Sequence, residues 1–295
     1  MGSTGYKPTN FINLKMIVKS TPLTIFQNGL AVGISYKGSN ILNIKELMRE
    51  WTLSFEIPNT ESIQPYCING NLVYDGWQQY DIMRTTVDDG GTNTTHCECE
   101  HVIGRLSNYN LSVGYSHTGN LTAIFNNILT TSGIPNFSCF DTTGSGSKTF
   151  TVGTSPITVR QALNQLAALF GVEYDINNGN SFIINFCNQV GFNNSKVFKK
   201  GRDLVRCQYA SDSTATPVAE SYTLEIINLQ RTDAGLLSDE FDVGDTVGID
   251  TPLINVPSIR IISYTYCYDD PTKDEITVGS FVPDASDTTV KLQGG

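Results

Sequence analysis

The chain has 295 residues, 39% of them hydrophobic and only 16% charged, with 26 Gly and 13 Tyr. That balance suits about two ordered, β-rich domains and excludes a disordered chain, which needs high charge and few aromatics. Lys and Arg number 19 against 29 Asp and Glu, a net charge of -10, so a grip on nucleic-acid phosphates is a poor reading, although a wall past which DNA slides remains compatible.

No run of about 18 apolar residues occurs, so no membrane-spanning helix is expected. The opening Met1 to Pro8 lacks the apolar core of a secretion signal. Seven scattered Cys, an odd number, read as reduced, buried small hydrophobes.

Residues 1 to 22 show no periodicity beyond Met16-Ile-Val18 and read as an N-terminal arm. Strand signals follow from Leu23 to about residue 103. Trp51, Leu53, Phe55 and Ile57 alternate on one face of a strand that Pro58 and Asn59 end. Gly70 to Tyr74 and Tyr80 to Met83 flank an Asp75-Gly76 turn. Asp88 to Gly91 is a second turn, and Thr94 to Val102 the next strand. Ile41 to Glu50 fits a short helix or a strand equally.

The character changes at Gly104. Leu121, Ile124 and Ile128 stand at helical spacing behind Asn120 as cap, with Gly133 and Pro135 as stops. A second helix is predicted from Ser155 as cap and Pro156 in the first turn, with Val159, Leu163, Leu166 and Phe170 as its buried stripe and Gly171 as its close. Val172 to Ile176 and Ser181 to Phe186 form a hairpin around Asn177 to Asn180.

Strands return from about residue 191: Leu204 to Tyr209, Ser221 to Leu229, and then the stretch Phe241 to Phe281. Its long strand puts Arg260, Ile262, Tyr264, Tyr266 and Tyr268 on one face and Ile259, Ile261, Ser263, Thr265 and Cys267 on the other. Neither face is purely polar, so Ile262, Tyr264, Tyr266 and Tyr268 are the candidate packing surface, towards core or neighbour. The expected fold is mainly β with an α+β insert: an arm at 1–22, a tube-like β-barrel at 23–103, a helix-plus-hairpin module at 104–190, a second tube-like barrel at 191–283 and a tail at 284–295.

Chemistry has little to stand on. Cys97, Cys99 and His101 share one face of a strand, and two thiolates with an imidazole would suit zinc; but no second Cys/His pair at ligand spacing follows, and the preferred reading is two small apolar Cys inside a barrel. Gly144 to Thr149 departs from a phosphate loop, with Ser147 and Thr142 where that loop needs glycines. Lys196, Lys199, Lys200, Arg202 and Arg206 form a basic run that reads as a solvated loop and strand edge, with an acidic partner or nucleic acid as the alternative. No Gly-x-Ser-x-Gly elbow is present and only three His occur, so no catalytic residue and no cofactor is assigned.

The order of motifs resembles the tail hub proteins of tailed bacteriophages, the prophage tail or tail-associated lysin family. These are similar in fold to contractile-phage baseplate hubs and the type VI secretion spike. The resemblance rests on Leu53 to Pro58, Leu72 to Tyr74 with Gln79 to Ile82, Cys97 to Val102, Ser155 to Leu166 with Gly171 to Glu173, Val243 to Val247, Ile259 to Ile262 and Ile276 to Gly279. It implies a structural homotrimer in the virion tail tip, assembled in the host cytoplasm. Two barrels per chain would form a pseudo-sixfold ring that docks to the distal tail ring, meets the tape-measure protein and tail fibre or tip proteins, and passes DNA through its channel. Relatives with hydrolase activity carry it in a C-terminal extension, and the chain ends soon after the last barrel strand, so no enzyme activity is expected. The alternatives are a cell-wall hydrolase or a receptor- or carbohydrate-binding tip protein.

Overall fold

The computed structural model describes residues 22–49, 51–176, 181–212, 219–231 and 240–280. The expected arm up to residue 21, the turn at 177–180, Phe281 and the tail at 284–295 lie outside the described residues. The first third folds as β1 (Leu23–Gln27), β2 (Leu30–Ser35), β3 (Ser39–Glu46), β4 (Trp51–Pro58), β5 (Leu72–Tyr74), β6 (Gln79–Val87) and β7 (Thr94–His101). The ambiguous stretch from Ile41 is therefore strand, ended by a turn at which Met48 takes a positive φ of 56°. In β4 the expected alternation holds, with Trp51, Leu53, Phe55 and Ile57 all buried, each contributing roughly 1.5–3 kcal/mol.

The middle comprises β8 (Asn110–Leu111), β9 (Ser116–Gly119), α1 (Leu121–Thr131), β10 (Ser138–Asp141), β11 (Lys148–Thr151), β12 (Ile157–Thr158), α2 (Val159–Phe170), β13 (Glu173–Ile176) and β14 (Ile183–Cys187). Helix α1 starts where expected: the Asn120 side-chain oxygen accepts the Ala123 N–H at 2.8 Å. Helix α2 starts later than Ser155 and Pro156 predict. Thr158 and Gln161 form a reciprocal capping box, while Ile157 and Thr158 are drawn into a ladder with Leu111 and Asn110. Gly171 closes α2 at φ 68°, in the left-handed region. The expected hairpin is present as β13 and β14, with Tyr174 opposite Phe186, and β10 joins it in parallel through β14.

The last third holds β15 (Asn193–Lys199), β16 (Leu204–Asp212), β17 (Ala219–Ile226), β18 (Thr246–Asp250), β19 (Asn255–Cys267) and β20 (Asp274–Gly279). The expected mainly β architecture is present, but the ladders do not draw the two tube-like barrels as separate sheets. First and last thirds belong to one 13-stranded sheet, in the order β16-β17-β20-β19-β3-β4-β7-β6-β5-β1-β2, with β18 and β15 branching from β19. Among the described residues no ladder closes either half on itself. The physical reason is the length of β19. Its first half pairs with β18, but its second half runs beyond β18 and offers the same edge to β3, with Tyr266 opposite Asn43. Period-2 patterning tells which face a strand buries, not which strand takes its edge.

Within this sheet the two halves repeat one order. Strands β3-β4-β7-β6-β5 and β16-β17-β20-β19-β18 are each laid out as first, second, fifth, fourth, third in chain sequence. The cores are two. Leu23, Ile25, Phe55, Val73, Tyr80 and their neighbours fill the first half, and a second core runs from the middle segment into the last third, taking in Leu121, Leu163, Phe186, Phe198, Leu224 and Ile276.

Candidate functional site

The Cys/Cys/His trio lies where the alternation of β7 puts it, on the buried face, while His96, Glu98 and Glu100 take the other. Geometry gives His101 a packing role. Its ring meets Trp51 edge-on at 4.8 Å and Tyr80 at 5.4 Å. Its Nδ1 accepts the Ile103 N–H at 3.2 Å, which leaves the proton on Nε2 to be donated to Gln78 Oε1 at 3.1 Å. Both ring nitrogens are thus engaged inside the protein. Burial holds the imidazole well below its ordinary range and pushes the Cys99 thiol well above its own. Among the described residues no three His, Cys, Asp or Glu side chains converge as a metal site.

The tyrosine face of β19 forms a lock between the two halves. Tyr264, Tyr266 and Tyr268 meet edge-to-face in series with ring centroids 5.5 and 4.7 Å apart. Tyr264 is buried, while Ile262, Tyr266 and Tyr268 are half-buried. The Tyr264 hydroxyl donates to Asp274 at 2.7 Å and accepts from Asn228 at 2.8 Å. At the other end the Tyr268 hydroxyl donates to Asp75 of the first half at 2.9 Å, and Asn43 also donates to Asp75, at 3.2 Å. Between them the Arg231 guanidinium lies 3.8 Å over the Tyr266 ring. It holds the Asp274 carboxylate at 3.0 Å and the Tyr268 carbonyl at 2.9 Å. Burial and the adjacent Asp274 push the Tyr264 hydroxyl well up, and burial also raises the Asp274 carboxyl, against the pull of Arg231.

Sequence reasoning missed Arg231, Asn228, Asp75 and Asp274 as members of this network. Asp75 reads as a turn residue and does serve its turn, accepting the Trp77 and Gln78 N–H groups, and Asp274 opens β20. Nothing in the sequence shows that the same carboxylates are 1% and 0% exposed.

A second polar bracket ties the middle segment to both halves. Arg260 grips Glu173 with two guanidinium nitrogens, each at 2.5 Å, and reaches the carbonyls of Val190 and Gly244 at 2.7 and 3.0 Å. Lys45 sits 3.0 Å from Asp242 and 3.6 Å from Asp175, above the Trp51 ring. Arg160 of α2 donates to the Arg49 carbonyl at 2.5 Å. Lys45, Arg49, Arg160 and Asp175, with Met48 and Tyr174, line a small cleft of about 20 Å³.

Two other sequence features are engaged within the chain, although Lys199, Lys200, Arg202 and Arg206 stay exposed. The Gly/Ser loop is wrapped on an acid, since Asp141 accepts from the Thr143 N–H and the Ser145 hydroxyl at 2.8 and 2.6 Å, the opposite of a phosphate cradle. The basic run is paired within the chain. Lys196, expected in a solvated loop, is buried against Asp203 at 2.7 Å, and Arg206 meets Glu225 at 3.0 Å.

No protein-family model matches the sequence, and no curated protein matches it either. The chain path does match solved structures. The prophage tail protein gp18 from Listeria monocytogenes EGD-e aligns over 88% of this chain and 94% of its own, at 11% identity and a TM-score of 0.65. The 43 kDa tail protein of prophage MuSo2 from Shewanella oneidensis aligns over 90% and 100%, at 11% identity and 0.61. The fold is that of prophage tail proteins. An Escherichia coli type VI secretion component, described as structurally similar to T4 tail proteins gp27 and gp5, shares it over 90% of this chain and 78% of its own, at 9% identity and 0.52. The tail-protein fold spans both repeated halves and the helical middle segment, as the motif order implied.

Proposed function

We propose that this chain is a structural component of a phage tail tip: a homotrimeric hub that continues the tail tube. In this reading it docks to the distal tail ring, meets the tape-measure protein and tip proteins, and encloses a channel for DNA. Each chain contributes two tube-forming units, so that three chains present six. The observation that carries the reading is the repeated five-strand order within a tail-protein fold, because a chain with two like units is what fits threefold symmetry to a sixfold tube. A chain charge of -10, about -30 in a trimer, suits a wall that does not retain DNA. In the same reading the chain works by shape and carries no reaction.

Light scattering of the purified chain tests the assembly. A mass three times that of the chain, with ring-shaped particles in micrographs, is the expected result. A monomer at every concentration, with no rings, overturns it.

A further inference from the structure

The repeat can be followed residue by residue through the ladders. In the first half Ile82 faces Cys99, a bulge follows, and Thr85 faces Cys97. In the second half Ile261 faces Val278, a bulge follows, and Tyr264 faces Ile276. On the next strand Phe55 faces Cys97 and Leu224 faces Ile276; one strand further, Asn43 faces Leu53 and Tyr209 faces Tyr222. Thr85 therefore corresponds to Tyr264, Val87 to Tyr266 and Tyr209 to Asn43. Burial agrees: Phe55 and Leu224, Cys97 and Ile276, Cys99 and Val278, and Ile82 and Ile261 are all buried.

At the junction inside the chain, the late part of β19 pairs antiparallel with β3, placing Tyr264, Thr265 and Tyr266 opposite Lys45, Ile44 and Asn43. The matching strand of the first half, β6, has no such partner. β5 covers only Gln79 to Asp81, and among the described residues Met83 to Val87 have no ladder on that side. β16, which matches β3, forms a ladder with β17 and, among the described residues, has no other strand pairing beyond a single bridge of Leu204 with Lys200. Both bare segments expose apolar side chains: Met83 at 42% and Val87 at 55% on one, Val205 at 43% and Tyr209 at 51% on the other. Gln208 to Ser211 carries neither a charge nor a proline to blunt the edge, and Met83 to Val87 carries only Arg84.

We propose that β6 of one copy pairs with β16 of a second copy in the register of the internal junction, with Thr85, Thr86 and Val87 opposite Ser211, Ala210 and Tyr209. Because the two edges differ, the contact is head-to-tail and closes by rotation. The proposal rests on the trimeric hub reading and adds the edges and the register.

The test is disulfide trapping in the full chain. Neighbouring antiparallel pairs alternate between close and wide, so two double variants are made, Thr86→Cys with Ala210→Cys and Thr85→Cys with Ser211→Cys. Each single variant serves as a control for the native thiols. Under mild oxidation at least one double variant is expected to run as a covalent trimer on a denaturing gel, released by reductant, while the singles stay monomeric on that gel. A trimer by light scattering that neither double variant traps overturns this edge assignment and leaves the hub reading standing. A monomer by light scattering overturns both.

Discussion

At the scale of single residues, the lock on β19 depends on one hydroxyl. Tyr264 is shared by Asp274 and Asn228, and the Asn228 side-chain oxygen is already buried without a partner. Tyr264→Phe keeps the ring and removes the hydroxyl, leaving buried polar groups unmet at a cost of about 1–3 kcal/mol. Urea unfolding should show a lower midpoint at unchanged slope, and an unchanged midpoint would remove the lock from the account. His101 predicts a pH dependence. Burial keeps its folded-state pKa well below the ordinary 6.5, so on acidification the unfolded chain takes up a proton that the folded chain refuses. Stability is held above about pH 6.5 and falls below it, by up to about 1.4 kcal/mol per pH unit. Denaturation at pH 7, 6 and 5 should show the decline, and His101→Gln should flatten that part of it while lowering stability at pH 7.

At the scale of elements, the middle segment meets the last third through two back-to-back glycines. Gly191 and Gly244 have φ of 79° and 95°, and a Cβ on either would come to 2.2 or 2.6 Å from the facing segment's backbone. Gly191→Ala and Gly244→Ala should each destabilise by about 2 kcal/mol or more, since neither the positive φ nor the close approach tolerates a side chain. Thermal melts near wild type for both would show that the segments separate at little cost. The start of α2 illustrates why local signals fall short. Ser155-Pro156 carries a cap-like pattern, but the Thr158 to Gln161 capping box is also local, and the ladder of Ile157 with Leu111 decided between them.

At the scale of the whole molecule, β19 hydrogen-bonds to strands of both halves, and Tyr268 reaches Asp75 across the junction. The two cores are therefore expected to unfold together, with calorimetric and van't Hoff enthalpies equal. Two resolved transitions by scanning calorimetry would show halves that merely adjoin. The same continuity joins the two halves in one sheet in which, among the described residues, β2, β15, β16 and the late part of β6 keep an unpaired edge.

Much of this was legible in the chain itself. Alternation in Trp51 to Ile57, the stripe of α2 with Gly171 behind it, and the hairpin of residues 173–176 and 183–187 depend on near neighbours, so local physics determined them. The order of such elements was enough to point to a tail-protein fold. What only the tertiary structure decided were the meetings of distant residues. Arg231 with Asp274, Tyr268 with Asp75 and Lys196 with Asp203 involve charges that a sequence displays as surface groups, and their burial follows from which strands lie side by side. The tyrosines of β19 show the division: their shared face follows from the period of a strand and Asp274 comes from the neighbouring β20, but the meeting of Tyr268 with Asp75 follows from β3 taking the free edge beyond β18.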